Sequence, residues 1–271
     1  MKGIIKHDWY SGLLGNWKQL FIISIVFYMC GLIADTFANS FGVAPFSFME
    51  NWIYVMQGCA PCSQTMQTGA QFDLPIIWMI LQIFLAYIIG GYPLYDLQTY
   101  GINLMVRTKS RSKWWIGKVL WVMELVGVVY LLGALMIAVV TLLSGGSVLL
   151  VRPEAAGVLK GDYSVFNGMG LALIGFILPM LSSIAISMIQ LLLIFLCNHF
   201  AAYAVVFLFI ILSVFYSGPI WIYENGMSIR SNAFVYDGSF VNRIIGLVVV
   251  IVVTSVAGCF VMKRRDIYGE V

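Results

Sequence analysis

The residues best suited to chemistry in this 271-residue chain are the thiols of the run Cys59-Ala60-Pro61-Cys62. A two-residue spacing permits a strained, reducible disulfide and can depress the pKa of the first thiol. A membrane thiol-disulfide oxidoreductase would normally need a second accessible pair to pass electrons on. Cys30 and Cys259 fall at different depths of predicted spans, and Cys197 at the end of another. Redox catalysis, a structural Cys59–Cys62 disulfide and inert thiols therefore all stay open. The sequence does not supply four sulfurs for zinc, so no metal site is expected.

Other chemistries are poorly served. His7 and His199 are the two histidines, and neither has a matching acid and nucleophile. Gly145-Gly146-Ser147 runs into Val148 and falls at the opposite membrane face from His199, so an intramembrane serine protease is not expected. A phosphate-cradling loop needs Gly-x-x-x-x-Gly-Lys-Ser/Thr. Around Gly117-Lys118, position 112 is Ser and position 119 is Val, so the chain is read as no ATPase and no enzyme, with no cofactor of its own. Glu124 lies within a predicted span. Intramembrane acids are costly and functional candidates by default, while pairing with a neighbouring helix is the plainer alternative.

The stretch "MVRTKSRSKWWIGK", residues 105 to 118, concentrates positive charge in an apolar chain. Such residues beside a span fix topology and attract anionic lipid, and Trp114-Trp115 suit the interface. No nucleic-acid partner is expected, because no binding fold accompanies the charge.

These residues must be positioned by membrane helices. The chain is 61% hydrophobic and 10% charged, with a mean hydropathy of +0.95. Six stretches meet the length of roughly 20 apolar residues needed to cross a bilayer: about 17–36, 74–95, 119–143, 165–190, 201–219 and 243–262. Runs such as Ile244 to Val253 are apolar at every position, which excludes the alternation of a barrel strand. The expected fold is all-α, one polytopic domain over 1–271. Placing both termini in the cytoplasm puts eleven Lys and Arg inside and four outside, in keeping with the positive-inside rule.

Three further features have local causes. Tyr10, Leu13, Leu14 and Trp17 stand at i, i+3, i+4 and i+7, which predicts an interfacial N-terminal helix retained ahead of the first span. Pro179 predicts a kink in the fourth span, with its freed carbonyl recovered by hydroxyls or a neighbouring helix. Trp221, Tyr223, Phe234 and Tyr236 seek the interface, so 218–241 is expected to form a partly inserted hairpin.

The order of features, with "GYPLYDLQTYGINLMVRTKSRSKWWIGK" after the second span, resembles permease subunits of type-2 ATP-binding-cassette exporters. The basic and tryptophan-rich part is similar to the inner loop of small Gram-positive permeases that export amphipathic peptides, including phenol-soluble modulins, or confer immunity to peptide antibiotics. The resemblance implies a bacterial plasma-membrane protein that pairs with a second permease copy or paralogue. It also implies a separate ATPase subunit that binds ATP and Mg. The coupling contact would be made by Asp96, Tyr100, Arg107, Lys109 and Arg111. The path for an amphipathic peptide or hydrophobic substrate would lie along spans two and five, implicating Gln82, Tyr87, Phe207 and Phe215. The long first outer segment with its two cysteines departs from that pattern.

Overall fold

The computed structural model describes residues 2–62, 72–108, 110–148, 151–218 and 221–264. All regular structure among them is helical. Helix α1 (Lys2–His7) passes through a π-turn (Asp8–Leu13) and a 3-10 turn into α2 (Trp17–Ser40). A short helix α3 (Phe48–Val55) follows, then α4 (Ile76–Asp96), a π-turn (Leu97–Gly101) and α5 (Ile102–Thr108). Helix α6 (Arg111–Leu143) returns across the bundle to a segment containing the single-turn α7 (Ala156–Leu159). Helix α8 (Gly168–Ala172), a π-turn (Leu173–Ile177) and α9 (Leu178–Leu196) form the next long rod. The last described elements are α10 (His199–Phe215), a 3-10 turn (Ile222–Gly226), α11 (Ser228–Tyr236) and α12 (Phe240–Arg264).

Among the described residues, five helical stretches are long and apolar enough to cross a membrane: Gly3–Ser40, Ile76–Val106, Arg111–Leu143, Gly168–Leu196 and Phe240–Arg264. This is the build of a polytopic all-α membrane protein. The expected fifth span, 201–219, corresponds to α10, a shorter apolar helix of 17 residues. Its last residue is Phe215, and the chain then turns extended at Tyr216.

The third span starts at Arg111 instead of 119, because Ser110 caps it by accepting from the Lys113 amide at 3.4 Å. Arg111, Lys113 and Lys118 therefore belong to a helix and not to a loop. Lys118 is fully buried.

Helix α9 is central, packing on α12, α10, α4 and α6. Close approach is set by small residues. Gly258 on α12 leaves no room for a β-carbon against the Trp115 ring, and Trp115 Nε1 donates to the Ser255 carbonyl at 2.8 Å. At the end opposite α1, Ser47 and Glu50 form a reciprocal capping box that starts α3. Within the segment 218–241, residues 222–228 pack inward: Tyr223, expected at the interface, is buried and sits edge-on to Trp78. Tyr236 is exposed, and Trp221 and Phe234 are half-buried.

Candidate functional site

The densest ionisable group joins the N-terminal segment to the end of α4 and the start of α6. Asp8 is carried by the first π-turn, Asp96 is the last residue of α4, and Lys118 lies two turns into α6. The Lys118 ammonium pairs with Asp8 and, at 2.6 Å, with Asp96 Oδ2. Tyr92, one turn before Asp96, donates its hydroxyl to Asp8 Oδ1 at 2.7 Å. Trp114, one turn before Lys118, donates its indole N–H to Asp96 Oδ2 at 2.9 Å. His7 Nε2 meets Asp96 Oδ1 at 2.8 Å from the partly open edge. Faces of Tyr92 and Trp114 lie 4.4 and 5.1 Å from the ammonium, adding cation–π attraction.

Sequence spacing explains the two helical contributions, since Tyr92/Asp96 and Trp114/Lys118 are both i, i+4 pairs on one face. Asp8 reaches them because Gly117 and Gly12 admit close approach: a β-carbon at Gly117 would lie 3.0 Å from Asp8 Oδ2 and one at Gly12 would strike Trp121. Asp8 Oδ2 is buried without a hydrogen-bond partner. Two carboxylates face one ammonium. His7, Asp8 and Asp96 also offer ligand atoms within 4.8 Å of one another. Lys118 stands between the carboxylates and supplies the positive charge a metal would bring, so these residues read as an ion-pair junction.

The remaining sequence-derived residues separate into different environments. Asp96, expected at a contact with another subunit, is buried at the junction and touches no outer surface. Tyr100 is 63% exposed on the π-turn beyond it, and its ring lies 5.4 Å from that of His7. Arg107 lies in α5, its side chain outside the described residues, as is Lys109 altogether. Arg111 Nη1 approaches the Lys263 carbonyl at the end of α12, at 3.5 Å. Gln82 is buried and accepts from Ser183, whose hydroxyl also meets Tyr130 at 3.0 Å. Tyr87, Phe207 and Phe215 are exposed on the outer faces of α4 and α10. Glu124 is half-buried on α6.

Cys59 and Cys62 are not joined to each other by a disulfide. Cys59 is buried beside Arg230, its thiol 3.5 Å from the Val214 carbonyl. Burial pushes the Cys59 thiol above its ordinary pKa, with the Arg230 guanidinium opposing that rise. A nucleophilic thiol needs the reverse.

At that same end Arg230, counted in the sequence as an outer-loop charge, is buried. It donates to the carbonyls of Cys59, Ser213, Val214 and Tyr216 at 2.6 to 3.0 Å. Two of these are among the last carbonyls of α10, which have no helical partners. Burial lowers the Arg230 pKa, while Cys59 and Glu224 oppose the shift. Glu224 is held by Arg243, by the Ser217 hydroxyl and by the Gly218 amide.

Neither the junction nor the Arg230 cap was visible to sequence reasoning. An Asp and a Lys inside apolar stretches were the available signal, as intramembrane charges mark functional or structural sites. Comparison with models of protein families, with curated proteins and with solved structures finds no match to this chain.

Proposed function

We propose that this chain is the transmembrane permease subunit of an ATP-driven exporter in the bacterial plasma membrane, with both termini cytoplasmic. It would work with a second permease copy or paralogue and a separate ATPase subunit that binds ATP and Mg. The substrate class is an amphipathic peptide or other hydrophobic molecule.

One observation carries the reading. The short helix α5 continues the helical stretch Ile76–Val106 to its end, just before α6 begins, and the end of α4 behind it is anchored through Asp96 to both Lys118 and His7. A short helix on a rigid base is suited to transmit the movement of a docked partner into α4 and α6, as population-shift mechanisms require. In this scheme Asp96 is a positioning residue. Tyr100, Arg107, Lys109 and Arg111 supply the contact. Tyr87, Phe207 and Phe215 mark the α4 and α10 faces that would meet the substrate or the second copy, while Gln82 lies behind them, buried against Ser183. The basic charge around α5 suits an acidic docking groove and sets register there.

Co-expression with ATPase subunits encoded in the same genome tests this. The parent chain is expected to retain one of them through purification and to hydrolyse no ATP alone. Tyr100→Ala and Arg111→Glu are expected to weaken that retention while leaving membrane insertion intact. A chain that inserts, folds and retains no ATPase subunit sinks the reading.

A further inference from the structure

We infer that a cavity between the N-terminal segment, α4 and the start of α10 binds the uncharged, hydroxyl-rich headgroup of a membrane amphiphile, the chemistry of a glycosyl lipid. The cavity has a volume of about 350 Å³. Tyr87, Tyr92 and Tyr95 line it from α4, and His199 and Tyr203 from α10. Asn16 and Gln19 face it from the N-terminal segment.

The lining selects its ligand by elimination. Among the described residues it contains no Asp, Glu, Lys or Arg, so a charged headgroup would lose hydration without gaining a counter-charge. An acyl chain would fit no better, because the Gln19 amide and the Tyr87 and Tyr95 hydroxyls would lose water without gaining a partner, whereas Asn16, Tyr92 and Tyr203 are already hydrogen-bonded within the protein. A sugar ring offers both matching surfaces: a C–H face for the aromatic rings and hydroxyls for the amides and the imidazole. Tyr203 is held in place by its hydroxyl, which donates to the Tyr87 carbonyl at 3.0 Å, and by its ring, 4.6 Å from that of His199.

Position points to a ligand arriving from the bilayer. Tyr87 and Tyr95 are exposed at the cavity, and Trp9, Tyr10 and Trp17 are exposed on the adjoining segment. Such rings gather at headgroup depth. The inference does not depend on the exporter reading, since no ATPase is needed for the cavity to fill.

The test uses purified full-length protein in phosphatidylglycerol nanodiscs containing minor, equal amounts of monoglucosyl diacylglycerol, phosphatidylcholine and diacylglycerol. Lipid retained after mild detergent extraction is read by mass spectrometry. The glucosyl lipid is expected to be enriched over the other three. Gly91 lines the cavity with open space beyond its α-carbon, so Gly91→Leu fills it and should cut enrichment on the order of tenfold, equivalent to ~1.4 kcal/mol. Gly127→Leu, placed in open space on α6 away from the cavity, should leave enrichment unchanged. If Gly91→Leu fails to fold by gel filtration, Tyr95→Ala, which removes an exposed ring from the rim, takes its place with the same expectation. Excess free glucose separates the two sources of the chemistry: displacement assigns recognition to the sugar alone, and persistence assigns it to the whole glycolipid. Equal retention of phosphatidylcholine, phosphatidylglycerol or diacylglycerol, or enrichment that ignores both cavity variants, overturns the inference.

Discussion

The indole N–H of Trp52 donates at 2.6 Å to the carbonyl of Gly175, the oxygen that an amide at position 179 would serve in a regular α-helix. Pro179 has no such amide. The helix therefore opens into the π-turn Leu173–Ile177, and α3 supplies the missing donor from outside. Trp52 is held there by stacking on Phe176, with centroids 4.5 Å apart, and on Phe27 at 6.0 Å.

Trp52→Phe keeps the stack and removes the donor. It is expected to destabilise the protein by about 1–3 kcal/mol, the cost of an unsatisfied buried polar group. Pro179→Ala in the same chain should recover part of that loss by returning an amide to the helix. Thermal unfolding of both singles and the double in detergent gives the coupling. Strict additivity would contradict the compensation.

Removing the ammonium at the junction should cost more. Lys118→Met leaves Asp8 and Asp96 buried against each other, and losing one partner of a buried ion pair costs about 3–5 kcal/mol. Adding Asp8→Asn and Asp96→Asn should restore much of the loss, because the neutral set carries no stranded charge. Unfolding midpoints of the single and triple variants check this. A triple variant no more stable than the single would show that geometry, and not charge balance, holds the junction.

Arg230→Met should loosen the end of α10. Four carbonyls would lose their donor together, and Glu224 would lose a nearby guanidinium 3.9 Å away. Hydrogen exchange is expected to accelerate at the C-terminal turn of α10 and around Cys59 while the α2–α6 contact stays protected. Uniform exchange across the bundle would instead indicate global unfolding.

Cys59 carries a pH signature whose sign follows from burial. Its thiol binds its proton more tightly when folded than in the unfolded chain. The associated stability is thus fully present below the ordinary thiol value of 9.0 and is lost as pH rises through the folded value. In a variant retaining Cys59 as its one cysteine, alkylation by iodoacetamide should stay slow at pH 8 and rise only at pH above that ordinary value. Rapid labelling at pH 7 would mean an activated thiol and would revive the oxidoreductase reading.

Much of the architecture was legible one segment at a time. An apolar run of span length must bond its backbone internally, so helices follow from composition and length alone. Pro179 announced its break because the missing amide is a property of one residue. The start of α6 was misjudged because Arg111, Lys113 and Lys118 were read by charge as loop residues. Ser110, the cap that begins the helix, gives a weaker signal than five cations do.

The amino-acid sequence by itself determined the class: an all-helical membrane protein with a break at Pro179 and basic residues gathered between its second and third apolar runs. Tertiary structure decided which charges are interior. Lys118 and Asp8 are 110 positions apart, and Arg230 and Cys59 are 171 apart. Spacing along the chain fixes which residues share a helix face. Which face meets which neighbour depends on side-chain volume at positions such as Gly12, Gly117 and Gly258, where absence of a β-carbon lets two elements touch. A buried ion is tolerated only where such packing delivers its partner, so these sites exist in the assembled bundle and in no single segment of it.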